Sequence, residues 1–131
     1  MRFYTDLEQS KKLSTILPIE TADMWWAERH VGYVNSDGKY TIEEIPYYYI
    51  SFIKPSTNNY SQDTIKDIPC WSLTALLNII QEPVLTKYKD GSWNCATFDE
   101  NNHFKDECFS DNPINACYEL IINELNNKYK N

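Results

Sequence analysis

Apolar positions gather in blocks separated by polar stretches, and the period within the blocks changes from helical to alternating and back. Near the start, Leu13, Ile16 and Leu17 lie at helical spacing. Ahead of them, Thr5 and Glu8 have the spacing of a capping box, in which hydroxyl and carboxylate satisfy otherwise orphan backbone amides. Pro18 lacks an amide hydrogen and disfavours helix in the residue before it, so the pattern predicts a helix over 6–17. The next block, MWWAERHVGYV, alternates like a strand, with Trp25, Ala27, Arg29 and Val31 on one face and Trp26, Glu28 and His30 on the other.

Asn35, Ser36, Asp37 and Gly38 form a strong turn signal, because these residues tolerate left-handed backbone angles. A further strand is predicted over 47–53 (YYYISFI), pairing with 25–34 as one long hairpin and leaving TIEEIP as a bend. The stretch 55–67 is rich in Ser, Thr and Asn and reads as a loop. Ser72 caps a second helix over 72–80, whose apolar residues nearly surround it. VLTKYK, then Asp90 and Gly91, then SWNCATF is the clearest hairpin in the chain. The stretch 101–110 reads as a polar connection. A third helix over 112–127 starts at Asp111 or Asn112 with Pro113 in its first turn, where a missing amide hydrogen costs nothing. Its apolar face carries Ile114, Cys117, Tyr118, Ile121 and Leu125.

These elements predict an α+β fold, an antiparallel sheet of about four strands carrying three helices, in a single globular domain spanning 1–131. A chain of 131 residues is long enough to bury a sizeable core without a disulfide or metal. Charge narrows the function classes further. The net charge of −7 opposes attraction to phosphate backbones, so no nucleic-acid partner is expected, although Lys11–Lys12 and Lys128–Lys130 are local basic clusters. No run approaches the roughly 18 apolar residues of a membrane span. The N-terminal sequence has no long apolar region or cleavage site, so a cytoplasmic setting without membrane contact is expected.

Four cysteines invite a disulfide reading. Cys70, Cys95 and Cys117 lie in apolar patterns where a free thiol packs as a small hydrophobe, and all four cysteines are read as reduced. Cys95, His103, Cys108 and Cys117 are four potential zinc ligands, but no CxxC or HxxxH pair joins them, so no metal is expected. Cys70 and Cys108 each precede a helix start, where a thiolate gains stabilisation, and His30 and His103 are the only imidazoles available as bases. The carboxylate pairs Glu43–Glu44, Asp99–Glu100 and Asp106–Glu107 sit on polar segments and read as solvated surface. With glycine only at 32, 38 and 91 there is no phosphate-cradling loop, and no GxSxG elbow occurs. No catalytic residue and no cofactor is therefore assigned.

Aromatic residues make up 15% of the chain, and they change the picture more than the thiols do. Trp25 and Trp26, with Tyr47, Tyr48 and Tyr49, alternate across strand faces, so some point outward unless both faces are covered. Outward Trp and Tyr on a sheet form the kind of patch that binds another protein. Trp71 and Trp93 are expected in the core.

Three segments carry a resemblance: EQSKKLSTILPIETADM from Glu8, IPCWSLTALLNII from Ile68 and DNPINACYELIINELN from Asp111. In combination they resemble a group of small uncharacterised proteins of anaerobic gut bacteria, their phages and mobile elements. The resemblance implies a bacterial or phage cytoplasmic setting and brings no catalytic residues. The chain departs from it at Cys70, where a small residue such as Ala is expected, which counts against a shared reaction at that thiol. The stretch 30–67 lies outside the resemblance and is where specificity for a partner or ligand is expected. A non-enzymatic accessory or interaction protein is the first expectation. A small enzyme or ligand-binding domain with a pocket between sheet and helices is the second.

Overall fold

The computed structural model describes residues 2–30, 32–42, 47–52 and 67–128. Among them are three α-helices and eight short strands in three antiparallel sheets, so the α+β class and the three helices hold. The β content does not form one sheet of about four strands. It divides into a three-stranded sheet β4-β1-β5, a two-stranded ladder β2-β3 and a three-stranded sheet β6-β7-β8.

Helix α1 spans Leu7–Ser14. Its capping box lies one residue later than the sequence pattern placed it. Asp6 Oδ1 accepts from the Gln9 amide at 2.7 Å, and Gln9 Oε1 accepts from the Asp6 amide at 3.0 Å. Thr5 is committed elsewhere: its amide donates to the Trp71 carbonyl, and its hydroxyl accepts from the Trp71 amide at 3.1 Å. The helix also stops short of Leu17, although the Leu17 amide still bonds back to the Leu13 carbonyl. Leu13 is buried while Ile16 stays exposed.

Strands β1 (Met24–Arg29), β2 (Gly32–Val34), β3 (Tyr40–Ile42) and β4 (Tyr47–Ser51) follow in order. The predicted long hairpin is present as a ribbon in two ladders. Its outer end closes at the Asn35 turn, where the Gly38 amide reaches the Asn35 carbonyl. Arg29 faces Tyr47 in the β1–β4 ladder, whereas Gly32 faces Ile42 in the β2–β3 ladder. Two residues separate β1 from β2 while four separate β3 from β4, so the ladders cannot share a register. Thr41 and Ile42, read from sequence as part of a bend, belong to β3. Val31, Glu43–Glu44 and the loop read over 55–67, Asp67 apart, lie outside the described residues. Strand β5 (Ile68–Cys70) pairs with the other side of β1.

Helix α2 (Leu73–Ile79) is capped by Ser72, whose hydroxyl accepts from the Ala75 amide at 3.1 Å. The predicted hairpin is β6 (Val84–Lys87) with β7 (Trp93–Phe98). The connection read over 101–110 is instead largely strand: β8 (Phe104–Ser110) pairs along the whole of β7. An inward side built from Asp106, Cys108 and Ser110 gives no hydrophobic alternation to detect. Helix α3 (Pro113–Lys128) begins where Asn112 Oδ1 accepts from the Ile114 amide at 2.8 Å.

The main core lies between the inner face of β6-β7-β8 and the three helices. It comprises Leu13 of α1, Trp71, Ala75 and Leu76 at α2, Cys95 of β7, and Ile114, Cys117, Leu120 and Ile121 of α3. Trp71 is fully enclosed and its ring nitrogen donates to Thr21 Oγ1 at 2.9 Å, satisfying the one polar atom that its burial strands.

Candidate functional site

The ribbon divides the predicted aromatic patch. Residues directly opposite in a ladder project to the same side, so Trp25, Ala27 and Arg29 share a face with Tyr47, Tyr49 and Ser51. Trp25 and Ala27 are buried on that face. Tyr47 and Tyr49 are open, at 47% and 43% exposure, and their rings stack with centroids 6.1 Å apart. Arg29 lies over the Tyr49 ring at 5.8 Å and also donates to Asp67 Oδ1 at 2.8 Å. That bond holds the guanidinium pKa above its ordinary value, so the cation is fixed in place. On the opposite face Trp26 is half-buried, stacks edge-on with Tyr4 and donates to the Thr5 carbonyl at 3.1 Å. Tyr48 is half-buried as well.

The outer end of the ribbon lies within the stretch 30–67 where partner specificity is expected, although sequence singled out none of its residues. Val34, Tyr40 and Ile42 are exposed by 66%, 69% and 57%. Val34 faces Tyr40, and Ile42 faces Gly32, so all four positions share one side of the two-stranded ladder. The Tyr40 ring lies across Gly32 so closely that a Cβ there would fall 1.9 Å from the phenol oxygen. Glycine is thus what lets the ring lie flat along the ladder. The available signal was the alternation of Tyr40, Thr41 and Ile42 after the turn, too short to register as a strand by itself.

Burial raises the pKa of both candidate nucleophiles. Cys70 is buried beside Thr5 and Ser10. Its thiol donates to the Thr5 carbonyl at 3.4 Å, and burial pushes its pKa up. Cys108 is half-buried, accepts from the Asn123 side-chain amide at 3.2 Å, and is also pushed up by burial. His103 lies in the β7–β8 turn, exposed, with Asp99 as its carboxylate neighbour at 3.4 Å. Asp99 itself accepts from the Asn101 and His103 amides, closing that turn. Of the proposed zinc set, the fold brings Cys95, Cys108 and Cys117 towards one another and leaves His103 in the turn. Among the described residues no group of three Cys, His, Asp or Glu side chains is placed to hold a metal ion.

A pocket between sheet and helices does exist. It is a cleft of about 230 Å³ lined by Ile79, Ile80, Thr97, Lys105, Ile121 and Leu125. At its margin Lys105 Nζ lies 3.5 Å from Glu124 Oε2 and 3.3 Å from Gln81 Oε1, so the ammonium group is already engaged. Among the described residues no helix is long and apolar enough to cross a membrane. No family model, no curated protein and no solved structure matches the chain.

Proposed function

We propose that this chain is a non-enzymatic interaction module that recognises a partner protein through its β ribbon. The observation that carries the reading is the open side of the β2–β3 ladder, where Val34, Tyr40 and Ile42 are more than half exposed. Two-stranded ribbons are marginal in water by themselves. Contiguous apolar side chains on such a ribbon gain stability when a second surface covers them. The stacked Tyr47 and Tyr49 extend the aromatic surface along β4, and Tyr is a favoured anchor at protein interfaces. A cytoplasmic setting in a bacterial mobile element or phage belongs to the same proposal, supported by the resemblance of the three segments above.

The experiment is recovery of the tagged full chain from its native host, with co-purifying proteins identified by mass spectrometry. A second preparation carries Val34→Thr, Ile42→Thr, Tyr47→Ser and Tyr49→Ser. Trp25 is left intact because it is buried and its loss would disturb folding. The reading expects a specific protein in the first preparation and its loss from the second, with circular dichroism unchanged. A partner retained equally by both would refute it.

The cleft supports a second reading, a binding domain for a small apolar ligand. The ammonium group at its margin is already engaged by Glu124 and Gln81, which ranks this reading second. Chemical-shift changes at Ile79, Ile121 and Leu125 on titration with small aliphatic and aromatic fragments would favour it. Unchanged spectra at millimolar fragment would dismiss it.

A further inference from the structure

We propose that Cys95 and Cys117 form an intramolecular disulfide when the protein meets a peroxide, making this buried pair an oxidation site that ties the central strand to the last helix. The pair is long-range, 22 residues apart in sequence, yet the two sulfurs lie 3.3 Å from each other. Both side chains are fully buried in the main core. A disulfide bond is about 2.0 Å long, so roughly 1.3 Å of closure separates the thiol pair from the bonded state.

The two thiols are not equivalent. Cys117 donates its hydrogen to the Cys95 sulfur, and this bond lowers the Cys95 pKa. The same bond, with burial, pushes the Cys117 pKa well up. Cys95 is therefore the sulfur that attacks and Cys117 the one that resolves. Cys108 lies directly opposite Cys95 across the β7–β8 ladder, so its side chain projects to the same face. It is half-buried on an edge strand, so it is the more exposed of the two thiols on that face of the ladder.

The reaction balances with hydrogen peroxide as the oxidant. The Cys95 sulfur attacks one peroxide oxygen and the O–O bond breaks. The departing hydroxide takes up the Cys95 proton to leave as water, and a sulfenic acid remains on Cys95. The Cys117 sulfur then attacks the Cys95 sulfur. The S–O bond breaks, and the sulfenic oxygen leaves as a second water carrying the Cys117 proton. Two thiols and one peroxide thus give one disulfide and two waters, and the two electrons lost by sulfur reduce the peroxide.

The test uses the folded full chain exposed to hydrogen peroxide, quenched, unfolded, alkylated and digested. The expected product is one cross-linked peptide pair joining Cys95 to Cys117, lighter than the two reduced peptides by two hydrogens and reversed by dithiothreitol. Cys108→Ser should form the same bond, whereas Cys117→Ser should leave Cys95 trapped as a sulfenic acid reactive to dimedone. Cross-linking of Cys95 to Cys108 instead would overturn the proposal. So would progression to sulfinic acid with no cross-link, or four thiols that all alkylate after peroxide treatment.

Discussion

The β6-β7-β8 sheet and the β2–β3 ladder both expose apolar side chains, but the first carries a packed core on its other face. In the first, β7 is covered on its inner face by α2 and α3, and Cys95 and Thr97 on that face disappear from solvent. Its exposed aromatics are paired: Phe104 meets Phe98 edge-on at 6.0 Å, and Phe109 lies 6.1 Å from Tyr88. The ribbon half ends in two strands with no third strand or helix beside them among the described residues. There Val34, Tyr40 and Ile42 are exposed by more than half, as Phe104 and Phe109 are in the first. A sheet backed by helices buries one of its faces within the chain, while a lone ribbon leaves both faces for something else to cover.

The contrast can be broken most forcefully at Trp71. Removing its enclosed ring in Trp71→Ala is expected to cost about 3–5 kcal/mol in urea unfolding, the range for large-to-small changes in a packed core. The ion pair at the base of the ribbon comes next. Asp67 is almost wholly buried and accepts the Arg29 guanidinium at 2.8 Å. Asp67→Ala should cost about 1–2 kcal/mol, kept below the cost of breaking a fully buried pair by the exposed part of Arg29. The loss should be read by thermal melting together with the fluorescence of Trp25 and Trp26.

Further out the stability effect should nearly vanish. Val34→Thr and Ile42→Thr keep the β-branched shape and remove exposed methyl surface, so each should change unfolding free energy by less than about 0.5 kcal/mol. A larger loss would mean that this surface belongs to the protein's own core. The smallest effect is at the β6–β7 turn. There the Ser92 hydroxyl and amide both donate to Asp90, holding its carboxyl below the usual range. A depressed carboxyl contributes stability above its unfolded pKa and loses it as pH falls through the folded value. NMR titration should show the low value in the native chain and a rise towards the ordinary one in Ser92→Ala.

Much of the backed half was legible because its signals are local. Ser72 capping α2, Asp90 and Gly91 turning β6 into β7, and Asn112 with Pro113 opening α3 each require only a few neighbouring residues. Strand β8 escaped because the side that faces α3 is made of Asp106, Cys108 and Ser110. Its place is set by pairing with β7, which no window on the sequence contains. The Thr5–Glu8 capping pattern misled by one residue because the Thr5 hydroxyl is spent on Trp71, 66 positions away. Tyr47 and Tyr49 were legible as surface candidates from alternation. Trp25 shares their face yet is buried, because position along a ribbon, and not face alone, determines exposure.

Amide hydrogen exchange, compared between the free protein and the protein bound to its recovered partner, tests the division most directly. The account predicts that binding slows exchange in Gly32–Val34, Tyr40–Ile42 and Tyr47–Ser51 and leaves Trp93–Phe98 and 113–125 unchanged. Slowing centred on Ile79, Lys105 and Ile121, with the ribbon exchanging as in the free protein, would contradict it and place the partner at the cleft.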